Sequence, residues 1–125
     1  MNTPFKSQLG TVFIHVKDLK KSVEWYSNIL GFCFDPTEIE SPVYNIPIDG
    51  TTGLTLDEHK FDKSFKCEPS PNPICNLLVG DIDEAYNFMK SNGVEIVREI
   101  ERIRKDFAWF NFVDLDGNVL MACTC

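Results

Sequence analysis

The sequence contains one pattern twice, half a chain length apart. The first copy starts with V-K-D-L at residues 16–19, and the second starts with V-G-D-I at residues 79–82. Apolar residues follow each start at helical spacing, and a glycine, Gly31 or Gly93, closes each copy. This repeat predicts two tandem copies of one supersecondary unit. Two such halves placed side by side would enclose a cleft, and a cleft is where a functional site would lie.

Local patterns predict the order β-α-β-β-β in the first half. Residues 11–16 alternate β-branched and aromatic types, which is typical of a strand. Asp18 stands at the N-cap position of a helix that runs to about Leu30, and Gly31 is placed to end it. Three more strands are predicted at residues 32–34, 43–48 and 53–57.

The second half predicts the same order. A strand at 74–79 precedes a helix at 82–91 that Asp81 caps, and D-L-D-G-N at 114–118 is typical of a hairpin turn. Further strands are predicted at residues 94–97, 107–113 and 118–123. We therefore expect a single domain over residues 1–125. It would consist of module one at about 8–58, a proline-containing linker at about 59–73 and module two at about 74–125.

Charge and hydropathy exclude several classes of partner. The formal charge is −7 and no basic run occurs, whereas nucleic acid binding needs clustered Lys and Arg, so no nucleic acid partner is expected. No stretch approaches the roughly 18 apolar residues of a membrane span, and residues 1–10 do not resemble a signal peptide. We therefore expect no membrane partner and a cytoplasmic location. The five cysteines form no C-x-x-C pair and are expected to be free thiols.

Two motifs resemble those of the vicinal oxygen chelate superfamily, also called glyoxalase/bleomycin resistance/dioxygenase. Residues 16–31 are similar to the family pattern V-x-D-L-x-x-S-x-x-F-Y-x-x-x-L-G, and residues 114–118 resemble its D-P-D-G-N turn. The resemblance implies an α+β fold in which two tandem βαβββ modules form a U-shaped, cup-like mixed sheet with the helices outside. It also implies a homodimer. The superfamily includes metal-dependent isomerases, dioxygenases and thiol transferases, as well as metal-free proteins that bind antibiotics.

The resemblance implies four ligand positions for a metal inside the cup, and none of them carries a suitable ligand here. The four positions correspond to Thr11, to Thr55 or its neighbours Leu54 and Leu56, to Ile74 and to Met121. The metals of this superfamily need imidazole or carboxylate ligands, whereas threonine is a poor ligand, isoleucine has no donor atom and thioether sulfur suits copper. We therefore expect no metal at these positions and no cofactor.

A rearranged metal site is an alternative. The chain has only two histidines, His15 and His59, and Asp57 lies close to the second in sequence. Two imidazoles and one carboxylate would suffice for a transition metal if they converged. The other interpretation is that His59 is a solvated residue of a charged loop. His15 would then be either a partner for a ligand or a rim histidine bonded to a backbone carbonyl.

Strand alternation predicts which side chains line the cup. The aliphatic set of each strand should pack beneath the helices, which leaves the alternate residues facing the cup. The predicted ligand-binding residues are Phe13, His15, Thr55, Asp57, Asn76, Trp109, Asn111 and Met121. Apolar walls with a few placed polar groups are what a small-molecule pocket requires, and the two aromatic rings favour a planar ligand. Trp109 could equally be a hydrophobic plug or a dimer contact.

These observations favour a metal-independent protein that binds a small aromatic or amphipathic compound, in the manner of the superfamily's antibiotic-sequestering members. The first alternative is a lyase, isomerase or dioxygenase-type enzyme, with a rearranged metal site or with His15 as general base. The second is a cup filled by its own side chains in a protein that acts through a surface interaction. No other catalytic motif is present, so the balance is against an enzyme.

Overall fold

The computed structural model describes residues 2–125, and each half of the chain contributes one β-sheet. In the first half, β1 (Thr11–His15) leads into helix α1 (Leu19–Leu30), and the strands β2 (Val43–Ile46) and β3 (Gly53–Asp57) follow. The sheet order is β1-β3-β2. β1 is parallel to β3, and β2 is antiparallel to it.

The second half forms a four-stranded sheet. It contains β4 (Asn76–Leu78), helix α2 (Ile82–Ser91), β5 (Ile96–Arg104), β6 (Phe107–Val113) and β7 (Val119–Cys123). The order is β4-β7-β6-β5, in which β4 is parallel to β7 and the other pairs are antiparallel. The repeated strand–helix start therefore produces the same parallel pairing in both sheets, and the expected α+β fold of two mixed sheets with helices outside is confirmed.

One strand of the first half does not form where the sequence predicted it, at residues 32–34. The segment instead leads into a 3₁₀ helix at Pro36–Glu38, whose N-cap Asp35 accepts a hydrogen bond of 2.9 Å from the amide of Thr37. Proline has no amide hydrogen to donate to a ladder, so it ends any extension of a strand here. The apolar pattern reflects packing instead, since the ring of Phe32 stacks on that of Tyr44.

The two predicted helix caps are confirmed. Asp18 is the N-cap of α1 and accepts a hydrogen bond from the amide of Lys21, and Asp81 does the same for Glu84 in α2. Gly31 ends α1 in the left-handed conformation with φ 76°. Each carboxylate satisfies an amide that the first helical turn leaves without a partner.

The helix-facing side of both sheets forms the hydrophobic core. Fully buried residues of the strands pack with apolar residues of both helices, and this core includes Ile14, Leu56, Phe110, Phe112 and Leu120. Strand alternation turns the intervening residues to the opposite side. We call that opposite side the cup face, defined by Phe13, His15, Thr55 and Asp57 on the first sheet and by Asn76, Trp109, Asn111 and Met121 on the second.

The sulfur atoms of Cys123 and Cys125 lie in contact, and the Cα atoms of the two residues are 5.3 Å apart. Cys33, Cys67 and Cys75 are free. Between residues 2 and 125, no helix is both long enough and apolar enough to cross a bilayer.

Candidate functional site

The first sheet presents two pairs of predicted site residues in register. Phe13 lies opposite Thr55, and His15 lies opposite Asp57, because β1 and β3 run parallel with these partners aligned. Phe13 is 52% exposed although it is a large aromatic residue. The hydroxyl of Thr55 donates a 2.6 Å hydrogen bond to Oδ1 of Asn45 on the neighbouring strand, so its proton is not free to bond a ligand.

The second sheet presents a row of predicted site residues across three strands. Asn76 of β4, Met121 of β7 and Asn111 of β6 are aligned, and Trp109 lies two residues from Asn111 along β6. The Trp109 ring is half-buried and packs edge to face on Phe107 at 5.4 Å between centroids. This row combines a thioether, an aromatic ring and two amides on one side of the sheet.

Asn111 is an exception to normal hydrogen-bond pairing. The residue is 7% exposed, and its Oδ1 has no hydrogen-bond partner among the described residues. Buried polar atoms in native proteins almost always have a partner, because an unpaired one costs about 1–3 kcal/mol. An orphaned acceptor on the cup face is therefore a feature that requires an explanation.

The structure brings His15, Asp57 and His59 together at one end of the cup face. Nδ1 of His15 and Nε2 of His59 lie 2.6 Å apart, and Nε2 of His59 lies 3.5 Å from Oδ2 of Asp57. One potential ligand atom from each of the three residues lies within 4.8 Å of the other two. The convergence that the sequence left open is thus present.

Local backbone structure places His59. The residue has a left-handed φ of 52°, and its amide donates a 2.8 Å hydrogen bond to Oδ1 of Asp57. The left-handed turn folds the chain back after β3, so His59 reaches the side of the sheet on which Asp57 and His15 lie. The spacing of Asp57 and His59 is the sequence signal for this turn, because an aspartate side chain can accept a hydrogen bond from the amide two residues later.

Phe65 is a residue of this site that the sequence did not reveal. Its ring stacks on the imidazole of His59 with centroids 3.6 Å apart and lies 5.2 Å from the ring of His15. It belongs to the segment 59–73, in which the sequence predicted only a linker. The stacking gives the imidazole pair an apolar wall.

The D-L-D-G-N turn of the second half holds the end of β1. The side-chain amide of Asn118 donates 2.9 Å to the backbone oxygen of His15, and Oδ1 of Asp116 accepts 3.0 Å from the amide of Lys17. The thiol of Cys67 also contacts the backbone oxygen of His15, at 3.8 Å. These bonds fix the backbone from which the His15 imidazole projects.

The four positions of the superfamily's metal do not fit a metal in this chain. Thr11 is exposed at the start of β1, Thr55 donates its hydroxyl to Asn45, and Ile74 has no donor atom. Met121 offers only a thioether. A set without imidazole or carboxylate cannot hold the divalent metals that such sites take.

Two cavities lie outside the cup face. The larger, of about 410 Å³, adjoins the start of α1, where the amide of Leu19 donates 3.0 Å to Oε2 of Glu58. The smaller, of about 240 Å³, is mainly apolar and lies between the helices, beside Ile29, Leu77 and Phe88. Neither is lined by any of the eight predicted site residues. On the cup face Phe13 and Asn76 are exposed, whereas Thr55 and Asn111 are buried.

Two comparisons with known proteins relate this chain to characterised sequences. The family model described as Glyoxalase/Bleomycin resistance protein/Dioxygenase superfamily matches residues 8–122. The metallothiol transferase FosB of Staphylococcus haemolyticus is 30% identical over 106 residues, which cover 84% of this chain and 74% of that protein.

Solved structures of low sequence identity share the fold. A superfamily member from Sphaerobacter thermophilus DSM 20745 has a TM-score of 0.71 and 24% identity, with 94% of this chain and 96% of that chain covered. The hypothetical protein SA1046 from S. aureus has a TM-score of 0.68 and 26% identity, with 98% and 96% covered.

Proposed function

The chain belongs to the glyoxalase/bleomycin resistance protein/dioxygenase superfamily, and on that premise we propose that it binds a small aromatic or amphipathic molecule on the cup face. Binding would not depend on a metal, because the superfamily's four ligand positions carry Thr11, Thr55, Ile74 and Met121. The observation that carries the proposal is the buried, unpartnered Oδ1 of Asn111. A ligand N–H or O–H group would supply the missing donor once neighbouring side chains move aside, because this oxygen is buried in the free chain.

Apolar contact would provide most of the affinity. Phe13 exposes about half of its surface on the first sheet, and Trp109 and Met121 lie on the second. Burying apolar area stabilises a complex by roughly 25 cal/mol per Å², so one planar ring against these side chains would suffice for weak binding. His15 and Asp57 would orient the polar end of the ligand.

Phe13 and Asn76 are exposed on the cup face of the single chain, and we propose that a second copy of the chain covers them. The proposal includes two further predictions, namely that the protein is a homodimer and that it lies in the cytoplasm. Light scattering with a purified sample measures the first, and cell fractionation measures the second.

An enzyme is the second candidate function, and one observation favours it. His15, Asp57 and His59 converge within 4.8 Å, which is the arrangement that a rearranged metal site or a general base would need. The similar protein of Staphylococcus haemolyticus is a metallothiol transferase, which is a metal-dependent activity by its name. Turnover that His15→Ala abolishes while ligand binding persists would support this candidate.

Tryptophan fluorescence gives a direct test of the binding proposal. The chain has two tryptophans, Trp25 and Trp109, so Trp25→Phe leaves the second as the single reporter on the cup face. We expect planar aromatic amines and phenols from a compound library to quench this emission, with unchanged affinity when a chelator is present. Phe13→Ala should weaken binding about tenfold, because it removes about 1.4 kcal/mol or more of apolar contact.

Phe88→Ala is the matched control, because Phe88 is 44% exposed on α2, beside the smaller cavity and away from the cup face. It should leave the affinity unchanged. Binding that Phe13→Ala leaves intact, or binding that the chelator abolishes, would contradict the proposal.

A further inference from the structure

We propose that His15, Asp57 and His59 form a binding site for a divalent transition metal at one end of the cup face, displaced from the superfamily's four positions. The inference extends the second candidate function and does not depend on the binding of an aromatic molecule, since His15 and Asp57 would hold the metal instead of orienting a ligand directly.

The spacing of the ligand atoms suits one metal ion. Ligands that bind Zn²⁺ tetrahedrally at about 2.0–2.1 Å lie about 3.3 Å from each other. Oδ2 of Asp57 lies 3.5 Å from Nε2 of His59, close to that value. The two imidazole nitrogens lie 2.6 Å apart, so binding of one metal by both would separate the rings by a fraction of an ångström.

The backbone fixes all three residues before any metal binds. His15 and Asp57 are register partners on parallel strands. The amide of His59 is bonded to Oδ1 of Asp57, which leaves Oδ2 of the same carboxylate directed toward the imidazole. Asp57 and His59 are 18% and 21% exposed, so the site is partly desolvated yet reachable by an ion.

The donor set selects the class of metal. Two imidazoles and one carboxylate suit zinc, cobalt, nickel or iron in the divalent state, whereas calcium and magnesium prefer oxygen ligands alone. Three protein ligands leave at least one coordination position open, as in metal sites that bind water or substrate. The stacked ring of Phe65 shields one side of His59 from solvent.

Titration of the chelator-treated protein with Zn²⁺ and Co²⁺ tests the site. We expect one ion per chain by calorimetry and the visible absorption of low-symmetry Co²⁺. His59→Gln and Asp57→Asn should each lower the affinity about 100-fold or more, since even loss of an outer contact to a metal ligand costs about 10–100-fold. His59 lies on a loop, and circular dichroism would verify that its variant folds.

The matched control is the double variant Thr11→Ala/Met121→Leu, which alters two of the superfamily's positions and leaves the three proposed ligands intact. It should bind Co²⁺ as the unmodified chain does. Loss of binding in this control, an affinity that His59→Gln does not change, or no binding of either metal at millimolar concentration would overturn the proposal. Binding of aromatic compounds in the presence of chelator reports on the proposed function separately, so the two can fail independently.

Discussion

The hydroxyl of Tyr26 donates a 2.6 Å hydrogen bond to Oδ2 of Asp114 in the buried interior. This bond joins α1 to the turn between β6 and β7, so the two motifs that identified the superfamily are in physical contact. Oδ1 of Asp114 also accepts from the amides of Asp116 and Asn118. Burial and then the Asp114 carboxylate raise the pKa of Tyr26 well above its ordinary value, so the phenol keeps its proton and donates.

Tyr26→Phe should lower the free energy of unfolding by about 1.5–3 kcal/mol, because it removes a buried hydrogen bond to a carboxylate. Urea denaturation measures the change. Tyr86→Phe is the control, since the Tyr86 hydroxyl donates a 2.7 Å bond to Glu99 at the exposed surface. Its effect should stay within about 0.5 kcal/mol. Equal effects of the two substitutions would show that the buried Tyr26–Asp114 bond contributes no more to the free energy of unfolding than the exposed Tyr86–Glu99 bond.

Asn111→Leu should leave the free energy of unfolding unchanged or raise it by about 1 kcal/mol, because it replaces an orphaned buried acceptor with an apolar group of similar shape. The same substitution should weaken binding of an aromatic ligand that donates a hydrogen bond. Asn118→Leu provides the contrast, since the amide of Asn118 bonds both Asp114 and the backbone of His15. It should cost about 2 kcal/mol or more. A large loss of stability in Asn111→Leu would mean that its oxygen has an internal partner.

Gly31→Ala should destabilise the fold by about 1–2 kcal/mol, because an L-residue with a side chain is strained in the left-handed conformation. Gly31 has φ 76° at the end of α1. A shift of the melting temperature in calorimetry measures the loss. Gly80→Ala is the matched control, because no heavy atom lies within 4 Å of a Cβ added there and its φ is not positive. A control as damaging as Gly31→Ala would contradict the helix-end explanation.

Asp116→Asn should alter the pH dependence of stability. Burial raises the pKa of the Asp116 carboxyl above its ordinary 3.8, more than the hydrogen bond from the Lys17 amide lowers it. The folded chain therefore holds this proton more tightly than the unfolded chain, so ionisation of Asp116 lowers the free energy of unfolding as pH rises from 3.8 through the raised pKa. Asp116→Asn has no carboxyl to ionise at this position, so its free energy of unfolding should not fall for this reason.

The difference in unfolding free energy between Asp116→Asn and the unmodified chain should thus move in favour of the variant as pH rises through that window. Urea denaturation at a series of pH values measures it. Asp49→Asn is the control, because it removes the same charge from an exposed turn. A difference that stays constant with pH would show that burial does not shift the carboxyl of Asp116.

Features set by neighbours in sequence were predictable. The caps Asp18 and Asp81 depend on one helix turn at a time, and both appear in the structure. Burial alternates less regularly, since Thr55 and Asn111 are buried although strand parity predicted them on the cup face. The strand predicted at residues 32–34 did not form, because the packing of this segment depends on a residue distant in sequence. Its apolar residues match a strand pattern, but Phe32 packs on Tyr44, which is a tertiary contact that local periodicity does not reveal.

The candidate site was predictable only in part. Strand parity placed His15 and Asp57 on one face, because alternation is a local rule. Their approach to His59 depends on a left-handed turn, and the role of Phe65 depends on stacking between a loop and a strand end. Such contacts arise when the whole chain has folded, so the segment 59–73 carried no periodic signal from which they could be predicted.

The hydrogen bond from Asn118 to the backbone of His15 spans 103 positions of the chain. During synthesis the first strand leaves the ribosome long before its partner in the last hairpin. Contacts between such distant positions are slow to form, because the intervening chain must lose its freedom first. The corner that holds both imidazoles would therefore become ordered late, and a nascent chain would lack it until residue 118 has been made.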